Sequence, residues 1–350
     1  MSVDLGFVDK SCKLLESRFF PSKIGGKPSW LDLKNIPESK DLICDVCNQP
    51  RYFLCQIYCP YNEKDTSFHR TLFVFLCLSK NCFQSNSNRN FIVFRNQLPR
   101  ENSCYPALPP TEDVSWRPDI NCRTFGVKLC EICGIRSCEE LYQKDDETFC
   151  SAAHRNIFER TLGKASQKEN LALLPEFGIN IEPEDDYSDE SCSESDDAES
   201  EAESVENTDA PNYSQIRGIA TAQDDPMVER FFSQCNESIL DKYFLNFKSR
   251  IMENPEQVIR YARGTKPLWL SSKFIPQDSE IPPCEYCSSE REFEFQILPQ
   301  LLNYLNLDKN EKSTVGVFDW GTLAVYTCKN SCDSGPAYKQ EFLWKQDLVE

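Results

Sequence analysis

The feature that most restricts this chain is a four-cysteine unit that occurs twice, near its two ends. GGKPSWL (Gly25 to Leu31) resembles GTKPLWL (Gly264 to Leu270). Each is followed by a short polar stretch and a C-x2-C, at Cys44/Cys47 and Cys284/Cys287. RYFLCQIYCP from Arg51 and REFEFQILPQ from Arg291 come next. Both alternate apolar with polar residues and are rich in aromatic and β-branched side chains, which predicts strands. FHRTLFVFLC then ends at Cys77 and FDWGTLAVYTC at Cys328, and Cys82 and Cys332 close the two units. The offset is 239 residues at Trp30/Trp269 and 240 at the C-x2-C pairs. Five features in one order at a near-constant offset describe one supersecondary unit used twice.

Nineteen cysteines in 350 residues allow a disulfide framework or a set of metal sites. The N-terminal segment MSVDLGFVDKSCKLLESRFF has no apolar core of a secretory signal, which favours a reducing compartment. The spacing decides for metal. A C-x2-C turn aims two sulfurs at one point, and a second pair at a strand end completes a tetrahedron around zinc. The expected ligands are Cys44, Cys47, Cys77 and Cys82 in the first unit, and Cys284, Cys287, Cys328 and Cys332 in the second. With four protein ligands each, both sites are expected to be structural, with no open position for water.

A third cluster lies between the repeats. Cys130-Glu-Ile-Cys133 opens it and Phe149-Cys150-Ser-Ala-Ala-His154 continues it. This resembles a MYND zinc finger, in which eight ligands interleave around two metals. The resemblance implies one zinc on Cys130, Cys133, Cys150 and His154. The second metal is not expected: only Cys138 is left of its middle pair, and Arg155 to Ser166 holds no His or Cys.

Charge is concentrated in one stretch. The net charge is −18, and Glu169 to Gln215 carry 16 acidic and no basic residues, leaving −2 for the rest of the chain. A near-neutral body lacks the basic footprint of a nucleic-acid-binding protein. The Ser/Glu/Asp-rich tract is expected to be disordered. The longest apolar run, Leu72 to Leu78, is about a third of a membrane span. Beyond the tract, Asp225-Pro226 reads as a helix start, and Ile239, Tyr243, Phe247 and Ile251 as its buried face. Asn254-Pro255 is expected to restart a short helix that Gly264 ends. Cys55, Cys59 and His69 read as packed strand residues. No Gly-rich phosphate loop, paired-carboxylate motif or G-x-S-x-G occurs, so the chain is expected not to be an enzyme.

FHRTLFVFLC followed by FRNQLPR (Phe94 to Arg100), RYARGTKPLWL, IPPCEYC, FEFQILPQLLNYL (Phe293 to Leu305) and DWGTLAVYTC resemble the programmed cell death protein two family, in its finger-bearing branch. The resemblance implies a dedicated chaperone of a basic small-subunit ribosomal protein (S-five type), acting in 40S ribosome biogenesis and pre-rRNA maturation. Exposed β edges would hold the client by strand addition. The alternative is a nuclear adaptor that recruits transcriptional or chromatin partners through the MYND-like finger.

The expected architecture is mainly β with some α: two pseudo-symmetric four-cysteine zinc-binding β units packed together, with an inserted finger and a disordered acidic linker. The boundaries are 1–119 for the first repeat, 120–163 for the finger, 164–222 for the linker and 223–350 for helices plus the second repeat. The protein is expected to be a cytoplasmic monomer with nuclear shuttling, carrying zinc and touching neither nucleic acid nor membrane directly.

Overall fold

The computed structural model describes residues 2–137, 147–162, 173–184, 242–305, 307 and 319–347. Both predicted strand pairs form, and each repeat contributes four strands. The first supplies β2 (Lys23–Ile24), β3 (Tyr52–Tyr58), β4 (His69–Leu76) and β5 (Phe91–Leu98). The second supplies β7 (Gln257–Tyr261), β8 (Arg291–Ile297), β9 (Thr322–Cys328) and β10 (Lys339–Gln346). Two further strands, β1 (Asp4–Asp9) and β6 (Phe177–Pro183), pair with each other.

Together these strands close a barrel in the order β1-β6-β2-β3-β4-β5-β10-β9-β8-β7, with β7 returning to β1. The order reads outward from the β5/β10 seam as two matching runs, so the repeats are related by a pseudo-twofold through that seam. The correspondence extends to irregularities. A bulge breaks β3 between Phe53 and Cys55 opposite Phe75 and Val74, and one breaks β8 between Phe293 and Phe295 opposite Tyr326 and Val325. Gln56 accepts the Ser29 N–H and donates to the Ser29 carbonyl; Gln296 does the same with Leu268. Each buried glutamine therefore holds the KP-x-W-L segment of its own repeat.

β4 shows why the apolar run Leu72 to Leu78 need not be membrane-seeking. Leu72, Val74 and Leu76 face the barrel core, with Ile57, Phe295, Ile297, Trp320, Val325 and Leu343. Phe73 and Phe75 face outward under a second apolar layer that includes Trp30, Phe53 and Phe94. A strand covered on both faces reads as a continuous apolar run. Among the described residues, no helix is long and apolar enough to cross a membrane.

Three sequence expectations need correction. First, the linker drawn over 164–222 contains β6. Phe177, Ile179 and Ile181 alternate with small or polar residues, and that period fills the gap between β1 and β2. Glu176 and Glu184, at its two ends, pair with the buried Lys23 and Arg260. Second, residues after Asn254-Pro255 form the strand β7 in place of a helix. Gln257 donates to the Arg250 and Asn254 carbonyls, closing off the preceding helix, and the chain then pairs with β1 and β8. Third, closure leaves no free sheet edge among the described strands, which removes the exposed edges expected for strand addition.

Among the described residues, two α-helices lie outside the barrel wall. The first, α1 (Ala152–Leu162), belongs to the finger. The second, α2 (Lys242–Glu253), buries Phe244, Phe247 and Ile251, while Tyr243 is half-buried. The expected helix start at Asp225-Pro226, and Ile239, lie outside the described residues. So do Cys138, Cys192 and Cys235.

Candidate metal centres

Three groups of soft ligands converge, with all four donor atoms of each group within 4.8 Å of one another. In the first, Cys44 and Cys47 flank a tight turn ahead of β3, while Cys77 follows the last residue of β4 and Cys82 ends a short 3-10 turn. In the last, Cys284 and Cys287 form the turn ahead of β8, Cys328 ends β9, and Cys332 follows four residues on. In the finger, Cys130 and Cys133 make the turn, Cys150 precedes α1, and His154 lies in its first turn.

The three turns share one backbone design. Cys44 donates its N–H to the Gln49 carbonyl and its own carbonyl accepts from Asn48. Cys130 bonds in the same way to Ile135 and Gly134, and Cys284 to Ser289 and Ser288. The residue after each C-x2-C is left-handed: Asn48 at φ 56°, Gly134 at φ 70° and Ser288 at φ 59°. That twist reverses the chain within one residue and leaves both sulfurs on the same side.

Sulfur spacings fit a metal tetrahedron. Zinc–sulfur arms of about 2.3 Å give edges of about 3.8 Å. Cys44 and Cys82 are 3.7 Å apart, Cys47 and Cys77 3.4 Å, Cys284 and Cys332 3.6 Å, and Cys287 and Cys328 3.5 Å. Cys133 and Cys150 are 3.6 Å apart, and His154 Nδ1 lies 3.1 Å from Cys150 and 3.5 Å from Cys130. A disulfide needs about 2.05 Å, so these sulfurs are not bonded pairs. Crowded thiols also resist ionising together. Burial holds Cys82 up at about 11 and Cys332 at about 12. In the first group burial opposes ionisation of Cys47 too, but the Gln49 N–H and the neighbouring sulfurs outweigh it and bring Cys47 to about 7. A dication would take the place of those protons.

The finger does not stand apart from the first repeat. Cys130, Ile132, Cys133, Ile135 and Phe149 share one apolar cluster with Trp30, Phe53, Phe73 and Phe75. Trp30 Nε1 donates to the Gly134 carbonyl at 2.8 Å, joining the repeat's tryptophan to the finger's metal turn. Arg136 forms short bridges with Glu38 and Leu129.

Other chemistry-bearing residues are packed. Cys55 and Cys59 lie in the barrel core. His69 stacks on Phe20 at 4.3 Å and meets the Tyr58 hydroxyl at 2.9 Å. Burial lowers its pKa to about 4, so the ring is neutral. What spacing could not reveal is a set of buried ions. Arg70 pairs with Glu294 and Arg95 with Glu341, all four side chains being fully buried. Arg291 also meets Glu341, at 3.0 Å.

Comparison with known proteins follows the same division. The profile described as Programmed cell death protein 2, N-terminal domain, matches residues 2–112, and that described as its C-terminal putative domain matches residues 241–347. Programmed cell death protein 2 of Rattus norvegicus is 38% identical over 364 residues, spanning 100% of this chain and 98% of its own. Programmed cell death protein 2-like of Homo sapiens is 27% identical over 333 residues, 89% of this chain and 85% of its own. A Schizosaccharomyces pombe protein named Probable 20S rRNA accumulation protein 4 is 32% identical over 106 residues, 27% of this chain and 25% of its own. No solved structure matches the chain significantly.

Proposed function

The chain belongs to the programmed cell death protein 2 family, and on that premise we propose that it is a ribosome-biogenesis factor: a dedicated escort of a basic small-subunit ribosomal protein of the S-five type, acting in 40S assembly and pre-rRNA maturation. The observation that carries this reading is that the family's relatives include one named for 20S rRNA accumulation. Composition supports it. Beyond β6, the twelve acidic residues between Asp185 and Gln215, without a basic one, attract a cationic client over several ångströms.

Zinc is the metal that the donor sets favour: two groups of four thiolates, and one of three thiolates with an imidazole. Each set would fill all four positions of a tetrahedron, which supports ions that hold shape and do no chemistry, in keeping with a role as an escort and not as an enzyme. Because the barrel is closed, the client is held by side-chain surfaces and the acidic stretch in place of an added strand. The protein works as a cytoplasmic monomer that shuttles to the nucleus. The adaptor reading asks for a finger whose apolar surface is free for a peptide. Here Ile132, Ile135 and Phe149 are buried against the first repeat.

The test is affinity purification of the tagged full-length chain, with pre-rRNA measured after depletion. The S-five-type protein should co-purify in near-equal amount, and 20S pre-rRNA should accumulate. Absence of that protein, with small subunits forming normally, overturns the reading.

A further inference from the structure

The segment that carries the last ligand of the C-terminal metal group is held by the other repeat. Ser331 lies between Cys328 and Cys332, at φ 44°, a left-handed conformation that a serine adopts only under constraint. Its N–H returns to the Cys328 carbonyl at 2.8 Å, so this turn sets where Cys332 points. The constraints come from β4, β5 and the loop between β3 and β4. Arg70 Nε donates to Ser331 Oγ at 3.1 Å, and that hydroxyl donates to Gln97 Oε1 at 3.0 Å. Gln97 Nε2 and Lys64 Nζ both donate to the Ser331 carbonyl, at 3.0 and 2.6 Å. Lys64 and Thr66 hold Asp333 at 2.7 and 3.0 Å.

Arg95 acts on the ligand itself. Its Nη1 donates to the Cys332 carbonyl at 3.2 Å, and its Nη2 lies 3.7 Å from the Cys332 sulfur. Its Nε donates to Glu341 Oε1 at 2.7 Å, and Glu341 Oε2 accepts the Cys328 N–H at 3.1 Å and Arg291 Nε at 3.0 Å. One buried network therefore grips both Cys328 and Cys332. A dication on four thiolates keeps two net negative charges, and a guanidinium aimed at one sulfur offsets part of that charge where water is excluded. The N-terminal group differs. Contacts from the second repeat land beyond Cys82, with Lys345 on the Gln84 carbonyl and Asp347 on Asn86.

We propose that Arg95 and Gln97 of the N-terminal repeat are positioning residues of the C-terminal metal site, so that this site reaches full affinity only inside the closed two-repeat barrel. The inference rests on reading the three clusters as metal sites, and it adds a dependence of one site on the opposite repeat.

The test loads the reduced full-length chain with NMR-active cadmium and titrates it against a chelator. Cys287→Ser identifies the resonance of the C-terminal site. Arg95→Lys and Gln97→Ala should each weaken that site about 10- to 100-fold, with the other two sites unchanged. Gln97→Ala leaves the buried ion pair intact, so a folding failure in Arg95→Lys does not decide the matter. Unchanged affinity at the C-terminal site in Gln97→Ala, or an equal loss at all three sites, overturns the proposal while the metal reading stands. A wild-type chain that takes up no cadmium overturns both.

Discussion

Arg70 and Glu294 form one of the fully buried ion pairs of the barrel. Glu294 sits at the bulge of β8, where the first repeat has Leu54. It accepts Arg70 Nη2 at 2.7 Å and the Tyr261 hydroxyl at 3.0 Å. Such a pair is worth little against apolar replacements, but removing one partner strands the other. Arg70→Met should lower unfolding stability by about 3–5 kcal/mol, and adding Glu294→Leu should recover much of that loss, as denaturant titration would report. Burial works against the Glu294 charge, yet Arg70 outweighs it and brings the pKa to about 2. A depressed carboxylate adds stability above its ordinary value of 4.5 and loses it as pH falls from there to about 2. His69 has the reverse chemistry. Its neutral form is favoured in the fold, so stability falls as pH drops from 6.5 to about 4, while only the unfolded chain takes the proton. The imidazole resonance of His69 should titrate near pH 4; a midpoint near 6.5 would contradict its packing against Phe20 and Tyr58. The cysteine groups were legible in the sequence because each pair has a short spacing and the pairs recur in both repeats. The buried ions were not, because alternation gives the face of Arg70 and Arg95 but not the partner more than 200 residues away.

At the scale of elements, three turns of one design organise three different contexts. Each needs a left-handed residue after the C-x2-C, and only Gly134 of the finger uses glycine for it. A Cβ at Gly134 would also stand 2.9 Å from Lys27 Cβ, against the segment that carries Trp30. Trp30→Phe keeps an aromatic ring but removes the bond to the Gly134 carbonyl. It should cost about 1 kcal/mol and increase amide exchange in the finger turn more than in the barrel strands. Equal exchange changes in both would show that the finger does not depend on this contact. The elements that sequence reading assigned otherwise were β6, drawn as linker, and β7, drawn as a short helix. Their patterns were present, in Phe177, Ile179 and Ile181 and in the β-branched Val258 and Ile259. Composition of the acidic stretch masked the first, and the neighbouring helix periodicity masked the second. A short strand becomes stable only with partners on both sides, and those partners are far away in sequence.

At the scale of the molecule, a repeat of four strands leaves two open edges, and joining two such repeats at β5/β10 removes one edge from each. The β1/β6 pair bridges the other two. This explains why the chain uses residues from before the first repeat and after the finger to finish its sheet. The repeat, its order and its cysteine groups were legible because they recur at a fixed offset. Closure was not, because nothing in a repeat states whether its edges meet a partner. We take the three candidate metal groups to be the fixed points of this barrel: one at the end of β4, one at the end of β9, and one in the finger packed over the first repeat. Native mass spectrometry of the freshly purified, reduced full-length chain tests this most directly. It should show three zinc ions per chain, falling to two in Cys44→Ser, Cys150→Ser or Cys284→Ser taken singly. Fewer than three ions in the unmutated chain, or masses showing these cysteines paired as disulfides, would contradict it.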